Sequence, residues 1–297
     1  MPSTATRPIV QRLTPYLFLA PAAIALILTV FWPTLQAFYL SFTQYGYDLT
    51  QAPQWVGPAN LQRLWRDPLF WKTLGQTLLY LVCAVPILVA VPLVLAVLVN
   101  RQLRGIRWFR AAYYTPVVIS MVVAGLAWKY LYAENGLFNA LLAAIGFTDG
   151  IPWLTSPDLA LFSVAIVTIW KGLGYYMTIY LAGLQSIPED LYEAAALDGS
   201  DGWQRHWDIT VPLMRPYLVL VAVISSLSAM KVFEEVFVMT QGGPLDSSKT
   251  VVYYLYEQAF SRQDMSYACT IGLALFLAIL LLSLVNLSLT WRREADE

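Results

Sequence analysis

The sequence predicts an all-α membrane protein with six transmembrane helices and a short helical hairpin between helices 4 and 5. Three observations carry this. Of 297 residues, 58% are apolar and only 12% charged, against about 25% charged in soluble domains. Residues 13–47, 73–100, 111–128 and 265–291 carry no charge, and each holds the roughly 20 residues that a helix needs to cross hydrocarbon. Two further apolar runs, about 159–185 and 213–235, flank a polar, helix-forming stretch at 186–208.

Taken in order, the spans are placed at 15–42, 74–99, 108–132, 159–185, 211–238 and 266–290, in one membrane domain over 1–297. The first apolar run is too long for a cleavable signal, and no small-residue cleavage site follows it. Pro21, Pro33, Pro86, Pro92 and Pro116 are compatible with spans, because neighbouring helices satisfy the backbone groups that proline frees. Between spans one and two, Trp55–Lys72, with Leu61, Leu64, Trp65 and Leu69, reads as one amphipathic helix on the outer surface.

Charge sets the orientation. Arg7 and Arg12 precede the first span, Arg101, Arg104, Arg107 and Arg110 lie between spans two and three, and Arg292-Arg293 follows span six. Six spans put these segments on one side, and the positive-inside rule makes that side cytoplasmic, both termini included. Trp32, Trp108, Tyr113, Trp128, Tyr130, Trp153 and Trp291 sit near span ends, as interfacial anchors do.

Several chemistries lack their residues. The net charge of −1 gives no footprint for nucleic acid. His206 is the single histidine, which disfavours a histidine-based metal site. Cys83 and Cys269 both fall in apolar runs, so no disulfide framework is expected. No Gly-x-x-x-x-Gly-Lys-Ser/Thr loop exists to cradle nucleotide phosphates. Glu234 and Glu235 point about 100° apart on a helix and do not face one bond together. No catalytic residues are expected.

The loop at 186–208 stands apart: Glu189, Asp190, Glu193, Asp198, Asp201 and Asp208 oppose a single Arg205. Ser186-Ile187-Pro188-Glu189 has capping-box spacing, with Pro188 where a first turn needs no amide. Leu191, Ala194, Ala195 and Leu197 favour helix, and Gly199 can take the left-handed geometry that ends it. Ser200 or Asp201 can then cap a second helix through Trp203, Gln204 and Trp207. A hairpin across the membrane face follows from local rules.

Here the chain resembles the sugar-type permease subunits of ABC importers. Their cytoplasmic signature reads Glu-Ala-Ala, three residues, Gly, nine residues, Ile-x-Leu-Pro. Glu193, Ala194, Ala195, Gly199, Ile209 and Pro212 stand at that spacing, with Val211 where Leu is usual. Ile187-Pro188-Glu189-Asp190-Leu191-Tyr192, Met239-Thr240-Gln241-Gly242-Gly243-Pro244, and Trp55-Val56-Gly57 with Asn60-Leu61 extend the likeness over most of the chain. The resemblance implies a pore half for a sugar or sugar-like solute (oligosaccharide, disaccharide, polyol or glycerol-linked) in a bacterial-type inner membrane. It implies a second, homologous permease, two ATPase subunits and an extracytoplasmic solute-binding protein. The hairpin, with Glu193, Ala194, Ala195, Asp198, Gly199, Ile209 and Pro212, would couple to the ATPase. No cofactor is expected on this chain; ATP and Mg belong to that partner.

Two spans carry polar faces that fit a solute path. Lys171 in span four costs about 2.5–3.5 kcal/mol to insert and should face protein or a water-filled cavity; Gly174, Tyr175, Thr178 and Ala182 share its face. Such a stripe of small residues also serves helix packing. In span five, Ser225, Ser228 and Glu235 share a face, and Lys231 can reach Glu234 or Glu235 at helical spacing. The polar amides of some relatives are replaced by Ala229 and Val232.

Two rivals stand against the importer. An ion-coupled secondary transporter or channel calls for inverted repeats and intramembrane acids, neither of which is clear. A membrane enzyme of lipid or polyprenyl metabolism needs a second acidic cluster beside Asp198 and Asp201, which the sequence lacks.

Overall fold

A computed structural model describes residues 9–45, 52–100, 105–200 and 202–294, with side chains described over 14–286. Arg7, Arg101, Arg104 and Asp201, and the side chains of Arg12, Trp291, Arg292 and Arg293, therefore lie outside the described residues. Two compact units form: Met1–Arg66 with Leu255–Ala274, and Asp67–Tyr254 with Leu275–Glu297.

In the first unit, α1 (Thr14–Ser41) is a membrane-length apolar helix with none of its most apolar stretch buried by this chain. A helix apolar on every side belongs in lipid or against another subunit. A π-helical turn at Ile27–Phe31 precedes Pro33. Beyond it, β1 (Thr43–Gln44) pairs antiparallel with β2 (Gln54–Trp55). The Asn60 amide, in α2 (Ala59–Trp65), donates to the Ser41 and Thr43 carbonyls at 3.0 and 2.8 Å. Arg63 pairs with Asp264 at 2.6 Å and lies over the Tyr267 ring.

The single amphipathic helix expected over 55–72 is not formed. Trp55 is in β2, the surface helix is only α2, and Lys72 lies in the next helix, α3 (Pro68–Val99). Asp67 is the cause. Its Oδ1 accepts the amides of Leu69 and Phe70, and Pro68 fills a first-turn position needing no donor, so a new helix starts there.

In the second unit α3 packs on α7 (Ala160–Leu184) around Tyr80, Ala84, Leu88, Val164, Val167, Met177 and Tyr180, all essentially inaccessible to solvent. Span three is not continuous as expected over 108–132. It divides into α4 (Ile106–Val118) and α5 (Met121–Leu131), bent by 100°. Pro116 removes a helical donor, Ile119 and Ser120 are extended, and Ser120 Oγ caps α5 by accepting the Val123 amide. After α6 (Leu137–Ala144) and α7 comes the hairpin of α8 (Glu189–Leu197) and α9 (Gly202–Leu213).

Span five also departs from expectation. It is not one helix over 211–238: α10 (Arg215–Met230) turns 70° from α9, and α11 (Glu234–Met239) follows an interruption at Lys231–Phe233. Its sixteen residues rise only about 24 Å, short of a hydrocarbon core of about 30 Å. The Thr250 hydroxyl donates to the Val232 carbonyl within that interruption. Then follow α12 (Val251–Tyr256) and α13 (Met265–Glu294). Both cysteines are free.

Candidate docking hairpin and polar bundle interior

α8 starts without the capping box. Its N-cap is Pro188, with no side-chain hydrogen bond, and Ser186 Oγ donates to the Gly183 carbonyl at the end of α7. Ser186 is spent on the preceding helix because only two residues separate it from α8. The C-terminal end forms as expected: Gly199 has φ +85°, its amide donates to Ala196 and that of Ser200 to Ala195. This doubly bonded left-handed ending satisfies carbonyls that a helix otherwise leaves open.

Side chains lock α8 to α9. The hydroxyls of Tyr192 and Thr210 lie 3.0 Å apart, and His206 Nδ1 lies 3.0 Å from that same threonine oxygen. The Arg205 guanidinium stands over the Tyr192 ring, and Ser200 Oγ donates to Asp208 at 2.7 Å. Ala195 is buried and Ile209 and Pro212 are half-buried, so these signature positions pack the hairpin itself. Glu193, Ala194, Asp198 and Gly199 are exposed.

Sequence reasoning missed the hairpin's apolar outer surface. Leu197 is 89% exposed, with Trp207 at 68%, Trp203 at 58% and Leu191 at 42%. Leu197 had counted only as a helix former. Its position one residue before the capping turn is the signal that it projects from the tip. A cleft of about 430 Å³ beneath the hairpin is lined by Asn100, Glu189, Tyr192, Glu193, Arg205 and His206. The hairpin and the end of α3 therefore share one end of the bundle. There Arg110 donates twice to the Val99 carbonyl and fastens α4 to α3.

In the interior, Tyr175, Thr178 and Ala182 lie exposed along one face of α7, with Lys171 half-buried a turn earlier. Gly174 is packing: a Cβ there would stand 2.1 Å from the Tyr113 carbonyl oxygen. Lys171 Nζ is 3.3 Å from the Val117 carbonyl oxygen, at the bend of span three. On α10, Ser228 is exposed and Ser225 is buried, its hydroxyl donating to Val221. Lys231 is the C-cap of α10, and the interruption after it removes the helical spacing that was to bring it to Glu234 or Glu235. No ion pair joins Lys231 to either acid among the described residues. Glu235 Oε1 instead accepts from Thr168 at 3.0 Å, whose oxygen accepts from Tyr80 at 2.6 Å. Thr168 and Tyr80 did not stand out from the apolar runs that contain them.

Residues 68–291 match the family described as binding-protein-dependent transport system inner membrane component. The chain belongs to that family. It is a multi-pass membrane protein and a permease subunit. This permease is 34% identical to the lactose transport system permease protein LacF of Rhizobium radiobacter over 277 residues, covering 91% of this chain and 92% of the relative. It is 32% identical to the arabinooligosaccharides transport system permease protein AraP of Bacillus subtilis, covering 94% and 89%. Its fold is that of a chain in the crystal structure of a bacterial ABC transporter that imports alginate. The TM-score is 0.85 at 23% identity, over 95% of this chain and 97% of the other. The likeness favours a subunit of a binding-protein-dependent system over an ion-coupled secondary transporter, a channel or a lipid enzyme.

Proposed function

We propose that this permease forms half of the path by which an ATP-driven importer moves a sugar or sugar-like solute, its hairpin docking on a separate ATPase. The observation that carries this is the hairpin: a locked pair of helices at signature spacing presenting Glu193, Leu197, Trp203 and Trp207 outward. Apolar side chains on an otherwise acidic loop fit burial against a partner. Glu193 supplies a charged acceptor for a basic group there. The hairpin adjoins spans four and five directly, so a tilt driven by nucleotide reaches the path.

The orientation that suits this places the hairpin end in the cytoplasm, where exposed Arg107 accords with the positive-inside rule. The other parts of the system are a homologous second permease, two ATPase subunits that hold ATP and Mg, and an extracytoplasmic solute-binding protein. A structural neighbour of the same fold, at TM-score 0.82, is described with its pentasaccharide-bound periplasmic protein. The names of the relatives, lactose and arabinooligosaccharide systems among them, support the sugar class. Exposed Tyr175, Thr178, Ser228 and Lys231 supply a ring and hydrogen-bonding groups suited to hydroxyls.

Purifying the chain from its native membrane tests the reading. An ATPase and a second six-span protein should co-purify, and the solute-binding protein loaded with sugar should stimulate hydrolysis. A chain that purifies alone, or takes up solute with the ATPase deleted, overturns it.

A further inference from the structure

We propose that Lys171 and Glu235 are positioning residues that fasten the two interrupted spans to α7 beside their breaks, rather than contacts for the solute. This rests on the importer reading and its orientation. Spans three and five are each interrupted, at Ile119–Ser120 and at Lys231–Phe233. The halves beyond the breaks, α5 and α11, pack on each other so closely that a Cβ on Gly125 would stand 3.1 Å from Val238 Cγ1. They form one pair, with a break at the inner end of each member.

Spans three and five are both fastened to α7 within one of its turns, span three by the last turn of α4 and span five by α11. Thr168 donates to Glu235 on α11 at 3.0 Å. Three residues on, Lys171 reaches the Val117 carbonyl at 3.3 Å, where α4 ends and α5 begins. An ammonium at a helix C-terminus is favourable, and intramembrane cations pair with backbone carbonyls. Gly174, one turn beyond Lys171, leaves no room between α7 and α4. Motion at this level is thereby confined to the halves beyond the breaks. Moving the α5–α11 pair away from α7 means releasing Glu235 from Thr168, about the end of α4 that Lys171 holds at Val117.

The test uses the complete complex, comparing ATP hydrolysis with and without the solute-binding protein and measuring uptake. In the wild type, stimulation by the loaded binding protein checks the importer reading; its absence defeats that reading and leaves the fastenings to be judged separately by trypsin cleavage at Lys129, in α5, and at Lys231, just before α11. Lys171→Met and Glu235→Ala should raise hydrolysis without the binding protein at least threefold, while apparent KM for uptake stays within twofold. Lys171→Arg and Glu235→Gln, which keep a donor and an acceptor, should restore tight coupling and ordinary cleavage. The proposal is overturned if the loosened variants change KM or solute preference with hydrolysis unaltered, or change nothing. Failure of both loosened variants to assemble also overturns it, because the fastenings would then serve folding alone.

Discussion

The Tyr192 hydroxyl meets that of Thr210 at 3.0 Å, and this contact between residues eighteen apart in sequence joins the two helices of the hairpin. Tyr192 belongs to α8 and Thr210 to the last turns of α9, where the chain turns toward α10. Tilting α8 therefore pulls on the foot of span five as well as on span four. Under the proposed docking, a partner's push is transmitted only as far as the hairpin keeps its shape.

Tyr192→Phe removes one side of that bond and keeps the ring on which Arg205 rests. Such a bond contributes about 0.5–1.5 kcal/mol. The amount of protein in the membrane should not change. Maximal uptake should fall several-fold, and titration of the ATPase against the membrane complex should show weaker coupling. Thr210→Val removes a partner of both Tyr192 and His206 and should be the more damaging of the two. Equal or opposite effects count against a shared clamp at Thr210.

Gly199 isolates backbone geometry from packing. A Cβ there meets nothing within 4 Å, yet φ is +85°. Gly199→Val therefore suffers no clash, and its cost is the left-handed backbone, roughly 1–2 kcal/mol. Residues such as asparagine visit that region more readily, so Gly199→Asn should lose much less. We expect membrane levels near normal for both, uptake reduced at least tenfold in the valine variant, and partial uptake with asparagine. Matching losses for the two would shift the explanation from φ to contact with the partner.

Gly174 and Gly75 make the opposite comparison within the membrane. Gly174→Ala sets a methyl against the Tyr113 carbonyl at 2.1 Å, backbone against backbone, with no side chain able to give way. Gly75→Ala meets nothing within 4 Å and stiffens a helix interior, a gain of about 0.5–1 kcal/mol. Gly174→Ala should cut the folded protein recovered in mild detergent severely; Gly75→Ala should raise its melting temperature slightly. Equal recovery of both refutes the close approach of α7 and α4.

Much of this architecture was legible because membranes impose it. A charge-free run of sufficient length has few alternatives, and Gly199 with the residues before it specifies a helix ending locally. What escaped the sequence depended on competition among neighbours. Asp67 and Pro68 start a helix that splits the expected stretch at 55–72. Ser186 faced two helices and bonded to the earlier one. The carbonyl partner of Lys171 was not legible, because it arises only where span three breaks at Ile119–Ser120. Glu235 seemed a neighbour of Lys231 until Lys231–Phe233 left the helix. Uninterrupted periodicity was the assumption that failed at 55–72 and at Lys231–Phe233.

Leu197 offers a direct reading of the docking surface. It is 89% exposed, so replacing it removes almost no burial within this chain and should leave stability unchanged. Burying it against a partner contributes about 1.5–3 kcal/mol, and placing a charge there adds a desolvation cost. Leu197→Asp should therefore reach the membrane at normal levels, melt like the wild type and lose the ATPase during purification, with uptake reduced more than tenfold. Leu197→Met, similar in size and apolarity, should retain both. If the aspartate variant keeps its partner, the tip of α8 is not the docking surface, and Trp203 and Trp207 on α9 would have to provide it alone.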